Sequence, residues 1–208
     1  MKSDLLKITI IILLLFSACR KSGTSDESGG LDILGPADET EKAAILIDEV
    51  NKTELKKIKA IYKDSEQQVE ELKAAIQSKE VPKVKKIATQ LVQQINEGMN
   101  LGNEAVKKIA EARDLNTNET YKEYLDLKEQ ALSKQLEAFE IRFEQTQYLR
   151  DEFQIDDKQG IDKAKEKLGL MDEAFKKKME AARELSRKAN LLAKESKQKE
   201  SAASSGSE

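Results

Sequence analysis

The chain predicts an all-α protein, an elongated antiparallel four-helix bundle carried on a flexible N-terminal tether. Three observations point there. Of 208 residues, 38% are hydrophobic and 36% charged, the mixture that long amphipathic helices need. Only two prolines and nine glycines interrupt it, too few for the many turns of a sheet protein. Apolar residues recur at 3-4-3-4 spacing over long stretches, the heptad sign of helices packed side by side.

The composition also excludes chemistry. There is no histidine, which removes the commonest metal ligand and the usual general base. One cysteine cannot close an internal disulfide, so packing must hold the fold. A net charge of −3 argues against an electrostatic nucleic-acid binder.

The first element, residues 1–18, reads as an export signal. Lys2 and Lys7 form a positive start, Ile8 to Phe16 is apolar except for Thr9, and Ser17-Ala18 are small. A membrane-spanning helix needs about twenty apolar residues, roughly twice this run. The stretch Leu15-Phe16-Ser17-Ala18-Cys19 resembles a bacterial lipobox, with Phe16 where leucine is usual. Phe16, Ser17 and Ala18 would flank the cut, and Cys19 would carry the lipid. Several acyl chains on Cys19 would hold the protein at a membrane, because each buried methylene contributes about 0.8 kcal/mol. Residues 19–37 follow as a Gly/Ser/Asp-rich tether with too little apolar surface to fold alone.

The bundle is expected over 38–198. Its first helix, 38–78, has the seam Leu55, Ile58, Tyr62, Ser65, Val69, Leu72 and Ile76, and Val81-Pro82 stops it. The second, 83–113, follows Val84, Ile87, Leu91, Ile95, Gly98 and Leu101. Gly98 and Gly102 either permit close packing or mark a bend. Asn118 caps the third helix, 119–154, whose seam includes Leu125, Leu132, Leu136, Phe139 and Phe143. The fourth, 161–197, runs along Leu168, Met171, Phe175, Met179, Ala182 and Ala189. Residues 199–208 are expected to be disordered. Short connections favour antiparallel neighbours, and the breaks at Pro82, Asn116 and Gly160 disfavour one long intermolecular coiled coil.

No catalytic, cofactor-binding or metal-binding residues emerge. Glu70-Glu71, Asp151-Glu152 and Asp156-Asp157 are adjacent pairs, and adjacent helical residues do not share a face. Asp156-Asp157 lacks the alternating oxygens and closing glutamate of a calcium loop. Less bland is a second apolar stripe on the third helix: Leu127, Ile141, Tyr148 and Ile155, roughly opposite Phe139 and Phe143. It is either core, if this helix is central, or a face for a partner or a homodimer.

The relaxed lipobox at Phe16-Ser17-Ala18-Cys19, the Ser/Gly/Asp tether, the lysine-rich composition and the helical body together resemble a surface lipoprotein of Borrelia spirochaetes. That resemblance implies an outer-membrane, lipid-anchored protein, displayed outward, whose helical relatives bind host or vector proteins. It carries over no binding residues. Function is therefore expected to be non-enzymatic binding at the cell surface. The alternative is a periplasm-facing scaffolding lipoprotein acting through helix-helix self-association.

Overall fold

The computed structural model describes residues 38–154 and 158–205, with side chains placed for 38–154 and 165–195. The export signal, Cys19 with its flank Phe16, Ser17 and Ala18, the tether, and Ile155 lie outside the described residues.

Five helices follow in order: α1 Thr40–Lys52, α2 Glu54–Gln77, α3 Val81–Arg113, α4 Glu119–Asp151 and α5 Lys158–Ser205. α1 and α2 together form the first rod, so the protein is an all-α, antiparallel four-helix bundle. The antiparallel sense is visible in the contacts. Moving up α4 from Glu137 through Arg142 to Gln145, the partners on α5 retreat from Lys178 through Asp172 to Leu168.

Five expected boundaries need correction. The single helix over 38–78 is broken at Thr53, whose φ −105° and ψ −82° leave the helical region. Its hydroxyl donates back to the Glu49 carbonyl at 2.8 Å, a bond that bends helices. A shift in the seam accompanies the break. Upstream, Ala43, Ile47 and Val50 are buried; a strict heptad continuation would next bury 54 and 57. Glu54 is buried, but Lys57 is exposed, and the apolar seam moves to Leu55 and Ile58, one residue out of phase. α3 starts at Val81 rather than 83, because Pro82 sits in its first turn, where a missing N–H costs nothing. α4 ends at Asp151 rather than 154, and Phe153 folds back into the core. α5 starts at Lys158 rather than 161, with Gly160, expected to break the chain, inside it, and runs to Ser205, into the stretch expected to be disordered, since no proline interrupts it.

The turn between α2 and α3 is a Schellman motif. Glu80 N–H donates to the Ala75 carbonyl at 2.9 Å and Lys79 N–H to Ile76 at 3.2 Å. Lys79 takes φ 60° to do so, a region where a side chain is strained. Lys79→Gly is expected to raise the free energy of unfolding by about 0.5–1 kcal/mol, read from urea titration. A loss of stability would show that the turn does not hold this conformation.

At the other end, the loop before α4 clasps the start of α1. Glu39 N–H donates to the Asn116 carbonyl at 2.8 Å, and the Asn116 N–H returns to Glu39 Oε2 at 3.1 Å. Asn118 caps α4 as expected, accepting from the Tyr121 N–H at 2.9 Å.

α3 and α4 are the inner helices. α3 buries residues on two faces, adding Ala88, Val92 and Ala112 to its expected seam. α4 likewise adds Ala131, Ala138, Gln145 and Leu149. α2 packs on α3, α5 packs on α4, and among the described residues no substantial backbone contact joins α2 to α5. The bundle is thus open along one side. Its core falls into two clusters. One gathers around Ile47, Leu55, Ile109, Leu125 and Leu132. The other, toward the Schellman turn, gathers around Leu72, Val84, Leu91, Leu149 and Phe153.

Candidate functional site

Gly98 and Gly102, one turn apart on α3, remove two side chains from the face that looks toward α2 and α4. Leu136 of α4 fills the second gap: a Cβ at Gly102 would stand 2.5 Å from its Cδ2. Tyr62 of α2 occupies the first, with its hydroxyl 3.4 Å from where a Gly98 Cβ would lie. So the glycines permit close packing, one of the two roles their spacing suggested. Tyr62 also stacks on Phe139, ring centroids 4.6 Å apart.

Because α2 and α5 stay apart, these residues line an open groove of about 180 Å³. Its floor is apolar, from Phe139 and Leu136 at one end to Leu132 and Ile109 at the other. α5 contributes Met179, Ala182 and Ala189 to the far wall. Among the described residues that line it, Lys59, Lys128 and Arg183 carry charge, and no carboxylate does. The Tyr62 hydroxyl is buried and has no hydrogen-bond partner. Burial pushes its pKa well above the ordinary phenol value, so it remains a donor at neutral pH.

The stripe read from the sequence lies elsewhere. Leu127, Ile141 and Tyr148 are each half-buried on α4. Lys167 of α5 stands 4.0 Å above the Tyr148 ring, so α5 already covers part of this face. Polar pairs also lie along the α4–α5 seam. Arg142 pairs with Asp172 at 3.3 Å while its guanidinium lies 4.1 Å from the Phe175 ring. Glu137 joins Lys134 at 2.5 Å and also binds Lys178.

A second polar cluster ties α3 to the break in the first rod. Lys108 binds Glu49 at 2.7 Å and Glu54 at 3.0 Å. Hydrogen bonds to both carboxylates raise the pKa of Lys108. Burial works to raise the Glu54 carboxyl, but hydrogen bonds from Thr53 and Lys108 outweigh it and hold it low. Glu137 is held low by Lys134 and Lys178, and Asp38 by the Thr40 hydroxyl and N–H. These carboxylates titrate lower folded than unfolded. Their stabilisation is therefore complete above the ordinary value of about 4.5 and is lost as pH falls through the folded values. The melting temperature is expected to hold between about pH 6 and 5 and to fall below about 4.5. A flat profile down to pH 3 would show that these bonds do not persist in solution.

Among the described residues no cluster of acidic side chains is placed to hold a metal ion. None of the described helices is long and apolar enough to cross a membrane. Set against protein-family models, curated proteins and solved structures, the chain matches none.

Proposed function

We propose that the chain is a lipid-anchored outer-surface lipoprotein, non-enzymatic, that presents its helical bundle to a host or vector protein. The observation that carries this reading is the placement of Cys19. It is the sole cysteine, it closes an apolar run with Ser17-Ala18 before it, and a Gly/Ser/Asp stretch follows. A diacylated Cys19 would keep the bundle at the membrane, and the tether would let it swing clear of the lipid. The half-buried flank of Leu127, Ile141 and Tyr148 is the surface it would offer.

Metabolic labelling with a radioactive fatty acid tests the anchor: label is expected on the natural chain and none on Cys19→Ala. Protease treatment of intact cells tests display. Digestion of the bundle supports the outward orientation, and full protection sinks it. The periplasm-facing scaffold is the second reading. Concentration-dependent sedimentation to a dimer, together with protease protection, would select it.

A further inference from the structure

We propose that the groove between α2 and α5 is a binding site for a long-chain carboxylate, a fatty-acid-type anion with one acyl chain. The carboxylate would accept from the Tyr62 hydroxyl, with Lys59 one turn earlier on α2. The acyl chain would lie along α3 and α4 toward Ile109 and Leu132. This reading is independent of where the protein is anchored.

Three observations meet here. First, the groove has the right form. Its lining spans residues 98–109 of α3, 128–139 of α4 and 179–190 of α5. At 1.5 Å per residue that is about 16 Å, the reach of a long acyl chain. Second, its charge is one-sided. The whole chain carries 39 acidic against 36 basic residues, yet the described charged residues of the lining are all cations. An apolar trough edged by cations fits an anionic amphiphile and disfavours a cationic one. Third, the Tyr62 hydroxyl is a donor without an acceptor. A buried polar group left unmade is unfavourable, and such groups in folded proteins generally find a partner. A ligand carboxylate at the Gly98 end supplies one.

A second helix from another protein is the competing occupant. The buried phenol argues against it, because its hydroxyl asks for a single acceptor inside the groove rather than for an apolar helix face.

The test is calorimetric titration of the full chain with laurate below its micelle concentration. Dodecanol and dodecyltrimethylammonium serve as neutral and cationic controls of the same length. One laurate per chain is expected, bound at least tenfold tighter than either control. Tyr62→Phe removes the donor and nothing else. It should weaken laurate about tenfold, leave dodecyltrimethylammonium unchanged, and raise the melting temperature of the empty protein. Ser186→Trp, on the α5 wall, should abolish binding by filling the groove, with helicity checked by circular dichroism. Equal affinity for the cationic control, more than one strong site, or laurate affinity untouched by Tyr62→Phe would overturn the proposal. So would binding of an acidic amphipathic peptide by a chain that takes up no laurate.

Discussion

Leu125→Ala is expected to lower the free energy of unfolding by about 3–5 kcal/mol. Leu125 is fully buried and sits in the cluster that joins α1, α2, α3 and α4. The cluster draws on different helices: Ile47 and Val50 from α1, Leu55 from α2, Ile109 from α3. A side chain lost among rods that are each fixed elsewhere leaves a cavity, because none can move in to fill it without disturbing its other contacts. The deletion therefore costs both the transfer of the lost methyl groups and the void they leave. Urea titration with an unchanged slope would report this directly. A loss below about 1.5 kcal/mol would mean that the site collapses, and that α1 is far less firmly seated than its buried residues imply.

Arg142→Ala is expected to cost about 2–3 kcal/mol and to loosen α5 from α4. Arg142 is held between two demands. Burial disfavours its charge, while Asp172 favours it. It also lies against Phe175 and donates to Gln145, so its flat guanidinium is satisfied on several sides. Truncation leaves Asp172 in a poorly hydrated place, though Lys176 remains 2.7 Å from it. That residual partner is why the expected loss falls short of the ~3–5 kcal/mol seen when a buried charge is stranded outright. The paired replacement Arg142→Met with Asp172→Leu should recover most of the stability, since burying an ion pair contributes little net. If the double replacement is as damaging as Arg142→Ala alone, charge is not what the seam depends on.

Much of this architecture was legible in the residues. The seams of the second and third helices and the Asn118 cap appear where spacing and capping chemistry put them; Val81-Pro82, expected to stop the first rod, instead opens α3, and the stop is the turn at Lys79. Thr53 was not legible, because no glycine or proline announces the break. Only the one-residue slip between Val50 and Leu55 carries it, and that slip is visible only once the upstream seam Ala43, Ile47, Val50 is recognised. The clasp of Glu39 on Asn116 joins residues 77 positions apart, beyond any local pattern. α4 was read with one seam and a second stripe of two possible meanings. Its apolar residues spread round more of its circumference because it packs α3 on one side and α5 on the other. The groove had a trace in the sequence, Gly98 and Gly102 one turn apart. What made it a groove is the separation of α2 from α5, which follows from how the inner helices are arranged and not from any single motif.

The break at Thr53 has a consequence for how the rods find one another. A helix whose seam repeats every seven residues without interruption offers its neighbour several near-equivalent alignments, each one heptad from the next. The first rod does not. Its seam slips by one residue at Thr53 while both halves stay in one core cluster, so sliding α3 by seven residues would carry side chains across the break, where the spacing differs. Lys108, which bridges Glu49 before the break and Glu54 after it, can do so at one height only. The interruption thus works as an alignment mark, making one pairing of two long and otherwise repetitive rods unlike all the rest.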